Sequence, residues 1–154
     1  MKIAIKQLAI VGPTASGKSD LAIKIALKID AYILSIDSLS IYKEIDIVSA
    51  KPSKNELQTV KHFGINEINP DEHFSANIFV DLYKKVLLAC EQDNKNLIIV
   101  GGTSFYLKSL VEGLSEIPVI TEATIQSVKK ELINLASCYE YLSSIDPVYM
   151  KNIT

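Results

Sequence analysis

Over roughly the first hundred residues, short runs of purely apolar side chains alternate with longer stretches in which apolar positions recur every three or four residues. That pattern is the mark of buried parallel strands exchanged with helices. Residues 8–11 (Leu-Ala-Ile-Val) are the first such run, ending at Gly12. A helix is predicted over 18–29, where Leu21, Ala22, Ile25, Ala26 and Ile29 form an i, i+3, i+4 stripe. A second strand is predicted over 31–36, delivering Asp37 and Ser38 at its carboxyl end, the end at which open α/β sheets bind ligands. Residues 39–52 keep no period and concentrate polar groups, as a structured loop does. Ser53 and Glu56 make a capping-box pattern that starts a helix at about Ser53. Residues 65–69 are expected as a short strand closed by Pro70. From Ser75, the positions Ile78, Phe79, Leu82, Val86, Leu87 and Cys90 predict a long amphipathic helix broken near Asp93 and Asn94. Residues 97–100 form another buried strand, and Gly101-Gly102-Thr103 turns the chain into a further helix.

After Pro118 the character changes, and from Thr121 onward only helical periodicity is present. The expected fold class is therefore α/β, and with residues 12–19 reading Gly-x-x-x-x-Gly-Lys-Ser between strand and helix, a P-loop NTPase-like parallel sheet flanked by helices over residues 1–118. Residues 119–154 then begin a helical insertion. The sheet shows three clear strands where such sheets carry about four to six, and the sequence stops within helical pattern. An incomplete domain, the amino-terminal part of a larger protein, is the expectation. The 154 residues, 48% hydrophobic, suffice for one core and not two. A formal charge of −2 leaves no bulk basic footprint, so any RNA contact rests on a local patch. Cys90 and Cys138 lack metal-ligand spacing and are expected to be reduced core thiols. No stretch approaches the roughly twenty apolar residues of a membrane span, and the expected compartment is the cytosol.

The chemistry concentrates at residues 12–19. Gly12, Pro13, Thr14, Ala15, Ser16, Gly17, Lys18 and Ser19 satisfy the full G-x-x-x-x-G-K-[ST] pattern, set between a strand and a helix as phosphate binding requires. The glycines let backbone N–H groups converge on phosphate oxygens, Lys18 supplies a mobile cation, and Ser19 offers a hydroxyl to Mg²⁺. Asp37, one strand away, is positioned to organise Mg²⁺ or to accept a proton; the plainer reading is an acid that caps a turn. Thr103 stands at a second glycine turn, aimed into the same crevice or capping the helix at Ser104. Lys51 is a candidate phosphate or RNA contact, with a solvated side chain as the commoner fate. His62 and His73 show no metal spacing, and His62 reads as a structural or backbone-orienting group. Tyr42 and Tyr106 suit base stacking or half-buried packing.

Taken in order, the segments at 12–19, 37–42 (Asp-Ser-Leu-Ser-Ile-Tyr), 50–52 (Ala-Lys-Pro) and 100–103 (Val-Gly-Gly-Thr) closely resemble the tRNA dimethylallyltransferases, also called tRNA isopentenyltransferases. The resemblance runs from Leu8 to about Pro118, and the tail from Thr121 looks like the start of that family's helical insertion. It implies transfer of a dimethylallyl group from dimethylallyl diphosphate to N6 of the adenosine 3′-adjacent to the anticodon, in tRNAs reading codons that begin with U. On this resemblance residues 12–19 cradle the diphosphate, with Lys18 and Mg²⁺ at Ser19 neutralising the leaving group. Asp37 matches the general base on the adenine amine, Thr103 a position near the tRNA substrate, and Asp37, Ser38, Leu39 and Ser40 the tRNA-reading segment. The implied partners are the donor and the tRNA anticodon loop, with no membrane, and the complete enzyme is expected to be a monomer. The target base must leave its stack to enter such a site. Four positions depart from the family pattern: Ser40 replaces a usual Gln, Val48 a Gly, Phe63 the second of two histidines, and Ser104 a Gly. The arginine-rich segments that follow in the family are absent here, so the chain alone is expected to bind donor at most.

Three other readings share parts of this pattern. A small P-loop kinase would use the first strand, loop and helix with ATP, but leaves the segments at 37–38, 50–52 and 101–103 without a purpose. An adenylate isopentenyltransferase would act on free nucleotide, and the helical segment from Thr121 favours the tRNA enzyme. A non-catalytic nucleotide-binding module would have no need of an acid at position 37.

Overall fold

The computed structural model describes residues 4–46, 51–114 and 118–153. Ala50 and Val48 lie outside these. The chain divides into two compact units, residues 1–114 and 115–154.

The first unit begins with β1 (Gln7–Val11), α1 (Lys18–Ile29) and β2 (Ala31–Ser35). It continues through α2 (Lys54–Thr59), β3 (His62–Phe63), α3 (Ala76–Asp93), β4 (Asn96–Gly101) and α4 (Ser104–Glu112). The described strands form one wholly parallel sheet in the order β1-β4-β2-β3. This is the expected α/β class. The register sets Ile33 against Ile98 and Leu34 against Ile99, so consecutive residues of β2 and β4 alternate between two cores. On one face Ile33, Ile98 and Val100 pack beneath Ala22, Ile23 and Ala26 of α1. On the other, Leu34, Leu97 and Ile99 pack with Phe79, Val86 and Cys90 of α3 and with Tyr106 of α4. Phe79 and Tyr106 stack with ring centroids 4.8 Å apart.

Several details differ from the sequence pattern. The buried face of α1 is centred on Ala22, Ile23 and Ala26, while Leu21 and Ile29 are exposed. The small alanines let the helix settle close on the strands, so they define the contact line and the bulkier residues flank it. The third strand falls at 62–63 and not at 65–69. Gly64, at φ +75°, and Asn66, at φ 56°, turn the chain out of extended geometry directly after it. Residues 66–68 pair instead with the loop after β2, through the Tyr42–Ile68 bridge. The capping box at Ser53 forms as expected, with Glu56 N–H donating to the Ser53 hydroxyl and Ser53 N–H to the Glu56 carboxylate. Cys90 is fully buried, and burial pushes its thiol above the ordinary range. Cys138 is only half-buried, its Sγ donating to the Glu131 carbonyl at 3.1 Å. It sits in the first turn of a helix over 135–145, within the smaller helical unit.

Gly101 ends β4 where the chain after β2 passes close by. A Cβ at this position would lie 2.7 Å from Ile36 Cγ1 and 3.1 Å from the Asp37 nitrogen. Only a hydrogen fits there, and this close approach fixes the backbone of Asp37 against the tip of β4. Gly101→Ala is expected to destabilise the first unit by about 1–3 kcal/mol through overpacking, seen as a lowered midpoint in thermal denaturation.

The second unit is helical, comprising α5 (Glu122–Glu131), α6 (Leu135–Ile145) and α7 (Pro147–Met150). Each starts at a side-chain cap, with Thr121, Asn134 and Asp146 accepting from backbone N–H groups. Among the described residues no helix is long and apolar enough to cross a membrane.

Candidate active site

Parallel strands deliver their carboxyl ends to one edge of the sheet, and the loops leaving those ends build the site. The loop from β1 to α1 carries Ala15 at φ 62° and Gly17 at φ 77°. Alternation of this kind turns successive N–H groups toward one concavity. Gly17 is the N-cap of α1 and brings no side chain to accept from the first helical N–H groups. Those donors remain available to an anion at the positive end of the helix. Lys18 folds back across the loop, its ammonium donating to the Pro13 carbonyl and, at 3.4 Å, to the Ser16 hydroxyl. Ser16 itself donates to the same carbonyl at 2.8 Å.

A cavity of about 240 Å³ opens over this loop. Thr14, Ala15, Ser16, Gly17, Lys18 and Ser19 line one side, and Ser35, Asp37, Ser40, Gly101 and Gly102 line the other. A second concavity shares Thr14, Asp37 and Gly102 with the first, and adds Gly12, Pro13, Ser38, Leu39 and Thr103. Asp37 therefore stands on the wall between the two. Its Oδ1 accepts from the N–H groups of Leu39 at 2.9 Å and Ser40 at 3.3 Å, and its own N–H donates to the Ser35 hydroxyl at 3.3 Å. The acid is thus both a turn cap and a cavity wall, with Oδ1 committed to the turn. Thr103 occupies the N-cap position of α4, yet its hydroxyl makes no capping bond. It borders the concavity that also holds Asp37. All the residues singled out at 12–19 and 37–40, with Thr103, line one or both cavities.

Other candidates fall elsewhere. Lys51 does not line either cavity; its ammonium is turned inward onto the Tyr42 carbonyl, Asp46 and Asn66. Neither a phosphate contact nor a solvated side chain describes it. Tyr106 is core packing, not a stacking platform. Ser35, Pro52, His62 and Ile65 line the first cavity and were not expected there. For Ser35 the signal was present. Ile33, Ser35 and Asp37 alternate along one face of the second strand, and a two-residue period carried past its end reaches all three. For His62 there was none, because a two-residue strand has no readable period.

His62 Nδ1 lies 2.7 Å from the Val60 carbonyl, which fits a neutral ring holding its proton on Nδ1. Burial pulls the imidazole below its ordinary value of 6.5, against opposing contributions from the Val60 carbonyl and the Glu56 charge. The sign follows from proton counting. With the folded pKa depressed, the unfolded chain takes up the proton first, so the contribution is complete above 6.5 and is lost as pH falls toward the folded value. Thermal melts about one pH unit either side of that value should show a drop on the acid side that His62→Gln reduces.

Comparison with known proteins gives the family. The model of the family described as IPP transferase matches residues 40–154. The chain belongs to the IPP transferase family. Its similarity to family members extends upstream of that match: the tRNA dimethylallyltransferase of a Sulfurovum species is 56% identical over all 154 residues, a span that includes residues 12–19. That of Sulfurimonas denitrificans is 68% identical over 148 residues, or 96% of this chain. The chain spans about half the length of these curated relatives, 51% and 50% respectively. Among solved structures, the full-length tRNA isopentenylpyrophosphate transferase of Bacillus halodurans superposes with a TM-score of 0.70 at 27% identity, covering 98% of this chain and 51% of that one. A eukaryotic dimethylallyltransferase acting on tRNA superposes with a TM-score of 0.77 at 25% identity, covering 97% of this chain and 38% of that one.

Proposed function

We propose that this chain is the donor-binding half of a tRNA dimethylallyltransferase. The complete protein transfers a dimethylallyl group from dimethylallyl diphosphate to N6 of the adenosine 3′-adjacent to the anticodon, in tRNAs reading codons that begin with U. The observation that carries this reading is the shared cavity: the Lys18 ammonium and the Asp37 carboxylate line one space, a cation for a leaving diphosphate and a base for an incoming amine.

In this reading the loop N–H groups and Lys18 hold the diphosphate, and Lys18 exchanges its Pro13 carbonyl for a phosphate oxygen. The N6 lone pair forms a bond to the allylic carbon as the carbon–oxygen bond breaks, the electron pair leaving with the diphosphate. Asp37 takes the proton released from N6. Thr103, Ser38, Leu39 and Ser40 border the entering base. The short Ser40, where the family usually has Gln, leaves the base with fewer direct hydrogen bonds.

A divalent cation fits the oxygen donors available. Ser19, which carries a hydroxyl, lines the cavity beside Lys18, while no group of three or more His, Cys, Asp or Glu side chains among the described residues forms a cage. Mg²⁺ is commonly bound through one or two protein oxygens together with substrate phosphates, and its contribution here is to neutralise diphosphate charge. The chain alone binds donor without completing transfer, and the complete enzyme acts as a monomer in the cytosol beside its tRNA.

The test is transfer of labelled dimethylallyl from its diphosphate to an anticodon stem-loop by the full-length protein. Label is expected on adenosine and absent when guanosine, which lacks the N6 amine, takes its place. Phosphate transfer from ATP with no prenyl transfer would contradict the reading.

A further inference from the structure

Lys51 carries a charge that neither cavity uses. Its side chain is only 4% exposed, and all three donors of the ammonium are spent. They go to the Tyr42 carbonyl at 2.6 Å, Asn66 Oδ1 at 2.7 Å and Asp46 Oδ1 at 2.9 Å. An ammonium so withdrawn from water is costly unless fully bonded, so this arrangement resists opening. Two of its acceptors lie in the loop after β2 and the third in the segment after β3. The same two segments are laced together by their backbones. Asn66 N–H donates to the Ser40 carbonyl, Glu67 and Ile68 N–H groups to that of Ile41, and Lys43 N–H to that of Ile68.

A continuous path follows. Lys51 holds Asn66, Asn66 N–H holds the Ser40 carbonyl at 3.0 Å, and Ser40 N–H holds Asp37 Oδ1 at 3.3 Å. Ser40, 4% exposed, lines the cavity with Asp37. We propose that Lys51 is a positioning residue: a buried clamp that sets the 37–40 segment, and with it the Asp37 carboxylate, against the phosphate loop. The use of that setting for transfer to adenosine rests on the function proposed above; the clamp itself does not.

The experiment compares Lys51→Met with wild type in two readouts. By hydrogen exchange on this chain, the amides of Ser40, Asn66 and Glu67 are expected to exchange at least about tenfold faster, with those of α1 unchanged. In the full-length protein, kcat/KM for the stem-loop is expected to fall by about tenfold, while donor affinity stays within about twofold. Asn66→Gly, which suits a φ of 56° and removes the whole carboxamide and with it the Oδ1 acceptor of Lys51, should shift the same amides in the same direction and serves if Lys51→Met does not fold. Unchanged exchange at these amides in the folded variant would overturn the clamp. So would loss of donor affinity comparable to that of Lys18→Ala, which would make Lys51 a phosphate ligand. Absence of prenyl transfer by the wild type would defeat the functional reading and leave the exchange result standing.

Discussion

Asp37→Ala is expected to lower turnover of the full-length enzyme by about 10²–10⁴-fold, the range that a positioned general base supplies, with little change in donor affinity. Alanine removes two things at once, because Asp37 Oδ1 also holds the Leu39 and Ser40 N–H groups. Asp37→Asn separates them. An amide retains a carbonyl oxygen for the turn but cannot take a proton at neutral pH, so a base role predicts nearly the same loss in both variants. A purely structural role predicts that Asn restores most of the activity. Equal turnover for wild type and Asp37→Ala would remove this residue from the mechanism. The split between turnover and donor binding is expected because the function proposed above assigns the diphosphate to the loop at 12–19, which lines the cavity together with Asp37.

Lys18→Ala should produce the complementary pattern, weakening diphosphate binding by roughly 10- to 100-fold, as loss of a charge-assisted bond worth about 1.5–3 kcal/mol implies. The effect belongs at the lower end of that range if much of the bond's worth is spent displacing the ammonium from the Pro13 carbonyl, which it occupies in the free chain. Titration of inorganic diphosphate into wild type and variant reads this directly, without any prenyl group. Because the hydrogen bonds of the Lys18 ammonium run to Pro13 and Ser16 within its own loop, its removal should leave the thermal midpoint nearly unchanged, distinguishing lost binding from lost fold.

The parts of this molecule that were legible in its sequence are those governed by local rules. The loop at 12–19 announces itself by residue type and spacing, and the α1 bounds at Lys18 and Ile29 agree with its periodicity. The Ser53–Glu56 capping box was readable because both partners lie within one turn. What was not legible depends on distant residues meeting. The pairing of His62 and Phe63 with Ile33 and Leu34 is only two residues long, too short for any period, and exists because β2 already lies beside it. The inward turn of Lys51 depends on Asn66, fifteen positions along the chain, and no local pattern marks it. The constraint at Gly101 likewise comes from Ile36 and Asp37, just past the end of the neighbouring strand β2. Thr103 illustrates the intermediate case: its cap position was readable, whereas its uncapped hydroxyl was not.

The measurement that most directly tests the central claim is calorimetric titration of this chain with dimethylallyl diphosphate and, separately, with ATP, each with Mg²⁺ and with Lys18→Ala as control. The account predicts saturable binding that favours the allylic diphosphate and is weakened in the variant. Preference for ATP, or binding indifferent to Lys18, would contradict it.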